Sequence, residues 1–379
     1  MEADSIRIGR IAGVPVGLSW SLLIIAGVFT FGLAEGRFPA AQPAYSAGEH
    51  WVAAAITVVL FFGSILAHEL AHAVVARRAG LPVEGITLWL LGGVARLGGE
   101  ASGPGAEARI AAAGPLASLA AAGVFAVGGW ALDTVGASAL AATTLWWLAL
   151  INAVLAVFNL LPAAPLDGGR VLAAVLWWRT GDRTRSTLRA ATAGRVLGSA
   201  LIALGVVELF LRDQPFGLWT AFVGWFLVQS ATTEARSATA RDALRRLTAA
   251  DIAPQPAVVV DEWLTVDGLT ALMGQSGATA FGVRGADGVV RCIVGLDDVR
   301  RVPPARRGST RLEEIAVPIA ELTTAWADDS ALTVVERLPD KGRGEVAVYD
   351  RDLQLVGVIG RGDLARAAAH PPAPAEHAG

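Results

Sequence analysis

The chain has a single cysteine, Cys292, among 379 residues, so no internal disulfide can form and no Cys-based zinc site is available. It is also poor in charge. Asp, Glu, Lys and Arg make up 17% of the residues, against about 25% in an ordinary soluble domain. The formal net charge is −3 and no basic cluster is dense, which leaves no electrostatic footing for nucleic-acid binding as a main role. Histidine is scarce too, with five in the whole chain. The first residues, Met1 to Arg7, do not read as a cleaved leader, because the apolar run after Val14 is long and lacks a small-residue cleavage site.

What the chain has in excess is apolar sequence: 54% by count, with a mean hydropathy of +0.51. Nearly all the long apolar runs lie before about residue 233, and a normal density of charge follows. The shift divides the chain into a membrane domain over 1–235, a linker over 236–247 and a soluble part beyond.

Two of the five histidines stand four apart, in His68-Glu69-Leu70-Ala71-His72. On a helix, positions i and i+4 share a face, so both imidazoles can reach one metal ion. Glu69 turns toward the same site and can take a proton from a water polarised there. The same pattern is common in soluble zinc proteases. Here Trp51 to Ala67 is almost wholly apolar, which reads as a membrane setting, where a histidine is costly and marks function.

Six spans are expected: Val14–Ala34, Trp51–Ala79, Arg109–Trp130, a broken segment from Ala141 to Trp178, Ala190–Leu211 and Phe216–Ala231. Arg7 and Arg10 precede the first, and Arg77 and Arg78 end the second. Further arginines follow the broken segment and the sixth span. That asymmetry predicts a cytoplasmic N-terminus and a cytoplasmic C-terminal part. His68 lies nine residues before Arg77, or about 13 Å along a helix, below the membrane surface on the cytoplasmic side. Between the second and third spans, Val83 to Glu100 is too short to cross as a helix and reads as a β-hairpin around Gly92-Gly93. It is either a plain surface hairpin or one that dips into the membrane and offers an edge strand to an extended substrate.

Pro162, Pro165, Gly168 and Gly169 break the fourth segment. Irregular backbone at membrane depth is tolerated where it lines a cavity or is buried in protein. Asp167 within the break is the candidate third metal ligand, completing two imidazoles and a carboxylate with an open position. The competing reading makes Asp167 a helix N-cap. Asn159 can hydrogen-bond a substrate backbone or an oxyanion, or can satisfy carbonyls freed by Pro162.

The pentapeptide from His68 to His72, together with Asn159-Leu160-Leu161-Pro162-Ala163-Ala164-Pro165-Leu166-Asp167-Gly168-Gly169, resembles the site-2 protease family of intramembrane zinc metalloproteases. Gly13-Val14-Pro15-Val16, Gly92-Gly93 and Gly114-Pro115 resemble it as well, and the likeness covers about residues 5 to 233. It implies one Zn²⁺ per chain held by His68, His72 and Asp167, with Glu69 as general base. It implies cleavage of a membrane-spanning protein substrate within the membrane, after another protease has trimmed it. It also favours a substrate-clamping role for the hairpin from Leu88 to Leu97.

The soluble part repeats itself at about 60 residues, strand and helix patterns recurring over 248–303 and 304–369, with a Pro- and Ala-rich tail over 370–379 expected to be disordered. It resembles a tandem pair of CBS domains, an α/β fold whose members commonly bind adenine nucleotides. The Ser or Thr of the family motif is replaced by Gly295 in the first unit and Gly360 in the second, which removes a phosphate or ribose contact. Dimerisation, giving a homodimer through the pair, or gating of substrate is the competing role. The expectation for the whole chain is therefore a polytopic α-helical membrane protease with a cytoplasmic CBS pair. A CBS-regulated metal transporter and an inactive scaffold are the alternatives.

Overall fold

The computed structural model describes residues 5–89, 92–212, 214–253, 258–338, 344–352 and 354–369. It separates into two units, residues 1–235 and 236–379.

The first unit begins with a hairpin, β1 (Ser5–Ile11) and β2 (Val14–Ser19), and enters helix α1 (Trp20–Gly32) through an N-cap at Ser19, whose side chain accepts from the Ser21 amide. A short π-helical turn and α2 (Phe38–Ala41) follow. Helix α3 (Ala47–Arg78) starts on a capping box, with the Ser46 side chain accepting from the Glu49 amide while Glu49 accepts from that of Ser46. At 32 residues it is about 48 Å long, more than the ~30 Å of a bilayer core, so it can cross and still end in Arg77 and Arg78 at an interface. Strands β3 (Val83–Trp89) and β4 (Gly92–Leu97) form the expected antiparallel pair. Its turn, Leu90 and Leu91, lies outside the described residues. Helices α4 (Pro104–Thr134), α5 (Ala139–Asn159), α6 (Asp167–Thr180) and α7 (Arg183–Leu211) follow, and then α8 (Phe216–Arg246), which begins in the first unit and runs past its last residue.

The stretch Val14 to Ser19, expected as the start of the first span, is a strand. It pairs with β1 on one side and runs parallel to β3 on the other, Val16 opposite Ile86, in a four-stranded sheet of order β1-β2-β3-β4. Val14, Ile86 and Leu88 are buried there against Leu22 of α1 and Ala73 of α3. Their burial in protein, not lipid, is why an apolar run here is no helix. The broken fourth segment resolves into α5 and α6, separated by the irregular stretch from Leu160 to Leu166.

Among the described residues, five helices are long and apolar enough to cross a membrane: Trp20–Ala41 taken together, α3, α4, α5 and α7. They leave large apolar side chains exposed, among them Ile24, Val59, Val124 and Leu211, as lipid-facing surfaces do. The sixth expected span, Phe216–Ala231, is the first half of α8, which runs on unbroken to Arg246.

The second unit is a duplicated α/β structure. Helix α9 (Ala249–Ile252) leads to β5 (Val259–Asp261), α10 (Val266–Ser276), the hairpin β6 (Ala280–Arg284) and β7 (Val290–Gly295), and α11 (Leu296–Arg301). The second copy comprises β8 (Val317–Pro318), β9 (Thr323–Trp326), α12 (Ala331–Arg337), the hairpin β10 (Val346–Tyr349) and β11 (Leu355–Ile359), and α13 (Arg361–Ala369). The strand corresponding to β5 is β9, while β8 pairs with β7 of the first copy.

The cores cross the expected 303/304 boundary. Leu247, Ala249 and Ile252 pack with Val334, Val346 and Ile359 of the second copy, while Leu312 packs in the first. Ala280, Ile293, Ala347 and Val358 join the two hairpins in one apolar cluster. The tail over 370–379 lies outside the described residues.

Candidate metal centre

Helix α3 places His68 and His72 on one face, and both are buried. Their Nε2 atoms are 3.2 Å apart. Asp167, the first helical residue of α6, directs its carboxylate at both: Oδ2 lies 3.2 Å from Nε2 of His68 and 3.3 Å from Nε2 of His72. The N-cap position belongs to Leu166 and carries no side-chain cap, so the capping reading of Asp167 is excluded. Among the described residues these three form the group of potential ligands that converges, with their donor atoms within 4.8 Å of one another.

The other ring nitrogens explain the tautomers. Nδ1 of His72 lies 2.7 Å from the Ile110 carbonyl, which only accepts, so that nitrogen carries the proton and Nε2 presents a lone pair. Nδ1 of His68 is 2.9 Å from Ser118 Oγ, a hydroxyl able to accept in the same way. With Ser118 accepting, two lone pairs and a carboxylate oxygen face one another at 3.2–3.3 Å. Three acceptors in contact repel unless a cation lies among them. Zinc–nitrogen and zinc–oxygen bonds of about 2.0–2.1 Å in a tetrahedron put ligand atoms ~3.3 Å apart. The residues present therefore fit zinc.

Helix α4 makes this close packing feasible. Gly114 abuts both imidazoles so tightly that a Cβ there would overlap Nε2 of each. Pro115 follows inside the helix and donates no backbone hydrogen bond. Gly93 of β4 stands in the same relation to Glu69, where a Cβ would overlap the Glu69 side chain. These approaches give Gly93 and Gly114-Pro115 a steric reason that their sequence context did not supply.

A cavity of about 760 Å³ opens onto the cluster. His68, Glu69, His72, Asn159 and Asp167 line it, and so do Gly92, Gly93, Val94 and Ala95 of β4. Aromatic side chains from α1, α3 and α8, including Phe29, Phe61 and Trp219, supply apolar wall. The candidate site residues His68, Glu69, His72, Asn159, Asp167, Gly92 and Gly93 thus line one cavity. Sequence reasoning missed Ile110, Ser118 and Arg170. The backbone carbonyl of Ile110 leaves no trace in a sequence, and Ser118, the single serine of α4, has no local pattern that ties it to His68.

Comparison with known proteins gives the family. The model of Peptidase family M50 matches residues 56–135 and 133–204. The protein of Mycobacterium tuberculosis named as zinc metalloprotease Rip3 is 40% identical over 365 residues, covering 96% of this chain and 92% of that protein. The chain belongs to the site-2 family of zinc metalloproteases. It is accordingly a membrane zinc metallopeptidase. The solved site-2 protease of Methanocaldococcus jannaschii is 30% identical and covers 61% of this chain and 95% of that one, at a TM-score of 0.43. The second unit is similar to the CBS domains of a Streptococcus pneumoniae transcriptional regulator, at 20% identity, covering 32% of this chain and 98% of that one, with a TM-score of 0.25.

Proposed function

We propose that this site-2 family protease hydrolyses a peptide bond in or near the transmembrane segment of a membrane-bound protein, in regulated intramembrane proteolysis, with one Zn²⁺ held by His68, His72 and Asp167. The observation that carries the reading is the convergence of three acceptor atoms beside Glu69 in a cavity walled by apolar helices. Zinc, when bound, supplies a Lewis acid that polarises a carbonyl and makes a water acidic enough to react near neutral pH.

Glu69 is the general base. It accepts a proton from the attacking water as oxygen bonds to the scissile carbon, and returns it to the amide nitrogen as the C–N bond breaks. Asn159 lies on the cavity wall, where its amide can donate to the carbonyl oxygen as negative charge develops. Strand β4 pairs with β3 on one edge, and among the described residues no strand covers the other. Gly92 to Ala95 of β4 line the cavity, which supports binding of the substrate as an added strand. A helical amide is shielded by its own hydrogen bonds, so the substrate helix must unwind at the cleavage site.

The arginines flanking the spans support a cytoplasmic N-terminus and a cytoplasmic second unit, in the cell membrane. For the second unit we favour gating or homodimer assembly over adenine-nucleotide binding. Asp298 already accepts from the Gly295 amide and pairs with Arg301, while Asp363 accepts from the Gly360 amide and from Thr279. Glu345 occupies the space beside Gly295.

The discriminating experiment is Glu69→Gln in the full chain, with cleavage of a membrane substrate and zinc content measured together. Loss of cleavage with zinc retained supports the protease. Undiminished cleavage excludes the proposed base, and metal transport by both forms without cleavage would establish the transporter reading.

A further inference from the structure

Helix α4 supplies no ligand, yet one of its faces touches both histidines of the metal site. Ile110 holds His72, Gly114 admits both imidazoles and Ser118 holds His68. These positions recur at three- and four-residue steps, and so lie on one side of the helix. One step earlier on that side is Glu107. Its Oε1 accepts from Nε and Nη2 of Arg170, at 3.0 and 2.8 Å. Arg170 is one turn after Asp167 on α6 and lines the same cavity.

The placement of Arg170 is unfavourable by itself. A cation in the first turn of a helix opposes the helix dipole, and this one also stands beside a site built for a metal cation. Glu107 is largely enclosed within an apolar domain, where an unpaired carboxylate is costly. Paired, the two charges cancel. The two donors of Arg170 on one oxygen then fix α6 against α4 in both position and rotation.

That anchoring matters because α6 follows the irregular stretch Leu160–Leu166, which has no helical ladder to hold Asp167 in place. A second arm extends the network away from the metal. Arg183 at the start of α7 lies 3.5 Å from Glu107 Oε2 and 2.6 Å from Glu100 Oε2.

We propose that Glu107 and Arg170 are positioning residues for the third metal ligand: their ion pair holds Asp167 toward the imidazoles, as Ile110 and Ser118 orient His72 and His68. The proposal rests on the metal centre described above. Partners that orient metal ligands typically contribute ~10- to 100-fold in metal affinity.

The test uses purified full-length chain in detergent, with zinc affinity measured by chelator competition and the visible spectrum of the Co²⁺-substituted form recorded. Glu107→Gln and Arg170→Gln are each expected to weaken zinc by about 10-fold or more and to alter the Co²⁺ bands. The double variant should be no worse than the weaker single one, since both remove the same bond. Arg170→Lys retains charge and one donor and should fall between. Arg183→Gln leaves the Glu107–Arg170 bonds in place and should weaken zinc less than either single variant.

Unchanged zinc affinity and Co²⁺ spectra in Glu107→Gln, Arg170→Gln and Arg170→Lys alike would overturn the proposal. So would losses in melting temperature alone. Asp167→Ala reports separately on the metal centre: if it binds zinc as tightly as the unaltered chain, the centre itself is misassigned.

Discussion

At the scale of single residues, holding the metal and moving the proton are assigned to different side chains and can be tested apart. Glu69→Gln should reduce kcat by about 10²-fold or more while retaining one zinc per chain, read by a cleavage assay beside metal analysis. Gly114→Ala should do the reverse. Its methyl group would occupy space beside the Nε2 atoms, so zinc content should fall with activity. Ser118→Ala leaves the His68 ring without its orienting partner and should weaken zinc by about 10-fold, measured by chelator competition. A Ser118→Ala protein with unaltered zinc affinity would show that the ring is held by packing alone.

The two histidines and Glu69 were legible in the sequence because a four-residue spacing carries its own geometry. Asp167 was not settled by spacing, since an aspartate before Gly168-Gly169 suits an N-cap equally well. Its placement at the first helical position, with its carboxylate 3.2 and 3.3 Å from the two imidazoles, favours the ligand reading. The Glu107–Arg170 pair joins residues far apart in the chain, and nothing local in either segment announces it.

At the scale of elements, local pattern succeeded where an element satisfies itself and failed where its partner is remote. The helices α3, α4, α5 and α7 bond internally, so an apolar run of sufficient length marks each of them. Strand β2 is apolar because it is sandwiched in a sheet whose parallel partner, β3, lies some way downstream. Read alone, Val14 to Ser19 looks like the first turns of a span. In the second unit, β8 leaves its own copy to pair with β7, a pairing no local pattern in either strand reveals.

The exposed edge of β4 leads to a prediction about the substrate. A segment must be extended to pair with that edge, so Gly, Pro or Asn placed near the scissile bond should raise kcat/KM over an all-Leu helix of equal length. Equal rates for both substrates would argue against strand addition. Gly93→Ala should lower turnover through displaced Glu69 while leaving zinc bound.

At the scale of the whole molecule, the first unit exposes large apolar side chains, as a multi-pass membrane protein does, and the second unit carries an ordinary density of charge. The arginine distribution predicts that a protease added outside intact spheroplasts leaves residues 236–379 whole, whereas inverted vesicles lose them. Digestion in the opposite sense would reverse the topology. In the second unit, the pairing of Asp298 and Asp363 within the chain predicts that ATP or AMP at millimolar concentration leaves the melting temperature of the full chain unchanged.

The central claim is that two imidazoles and one carboxylate, brought from two helices, share a single zinc ion. Zinc K-edge X-ray absorption on the purified full-length chain tests it most directly. The account predicts one zinc per chain, two imidazole scatterers and light-atom neighbours at about 2.0–2.1 Å, with the pattern altered in Asp167→Ala. Stoichiometric zinc without imidazole scattering, or a spectrum identical in Asp167→Ala, would contradict it.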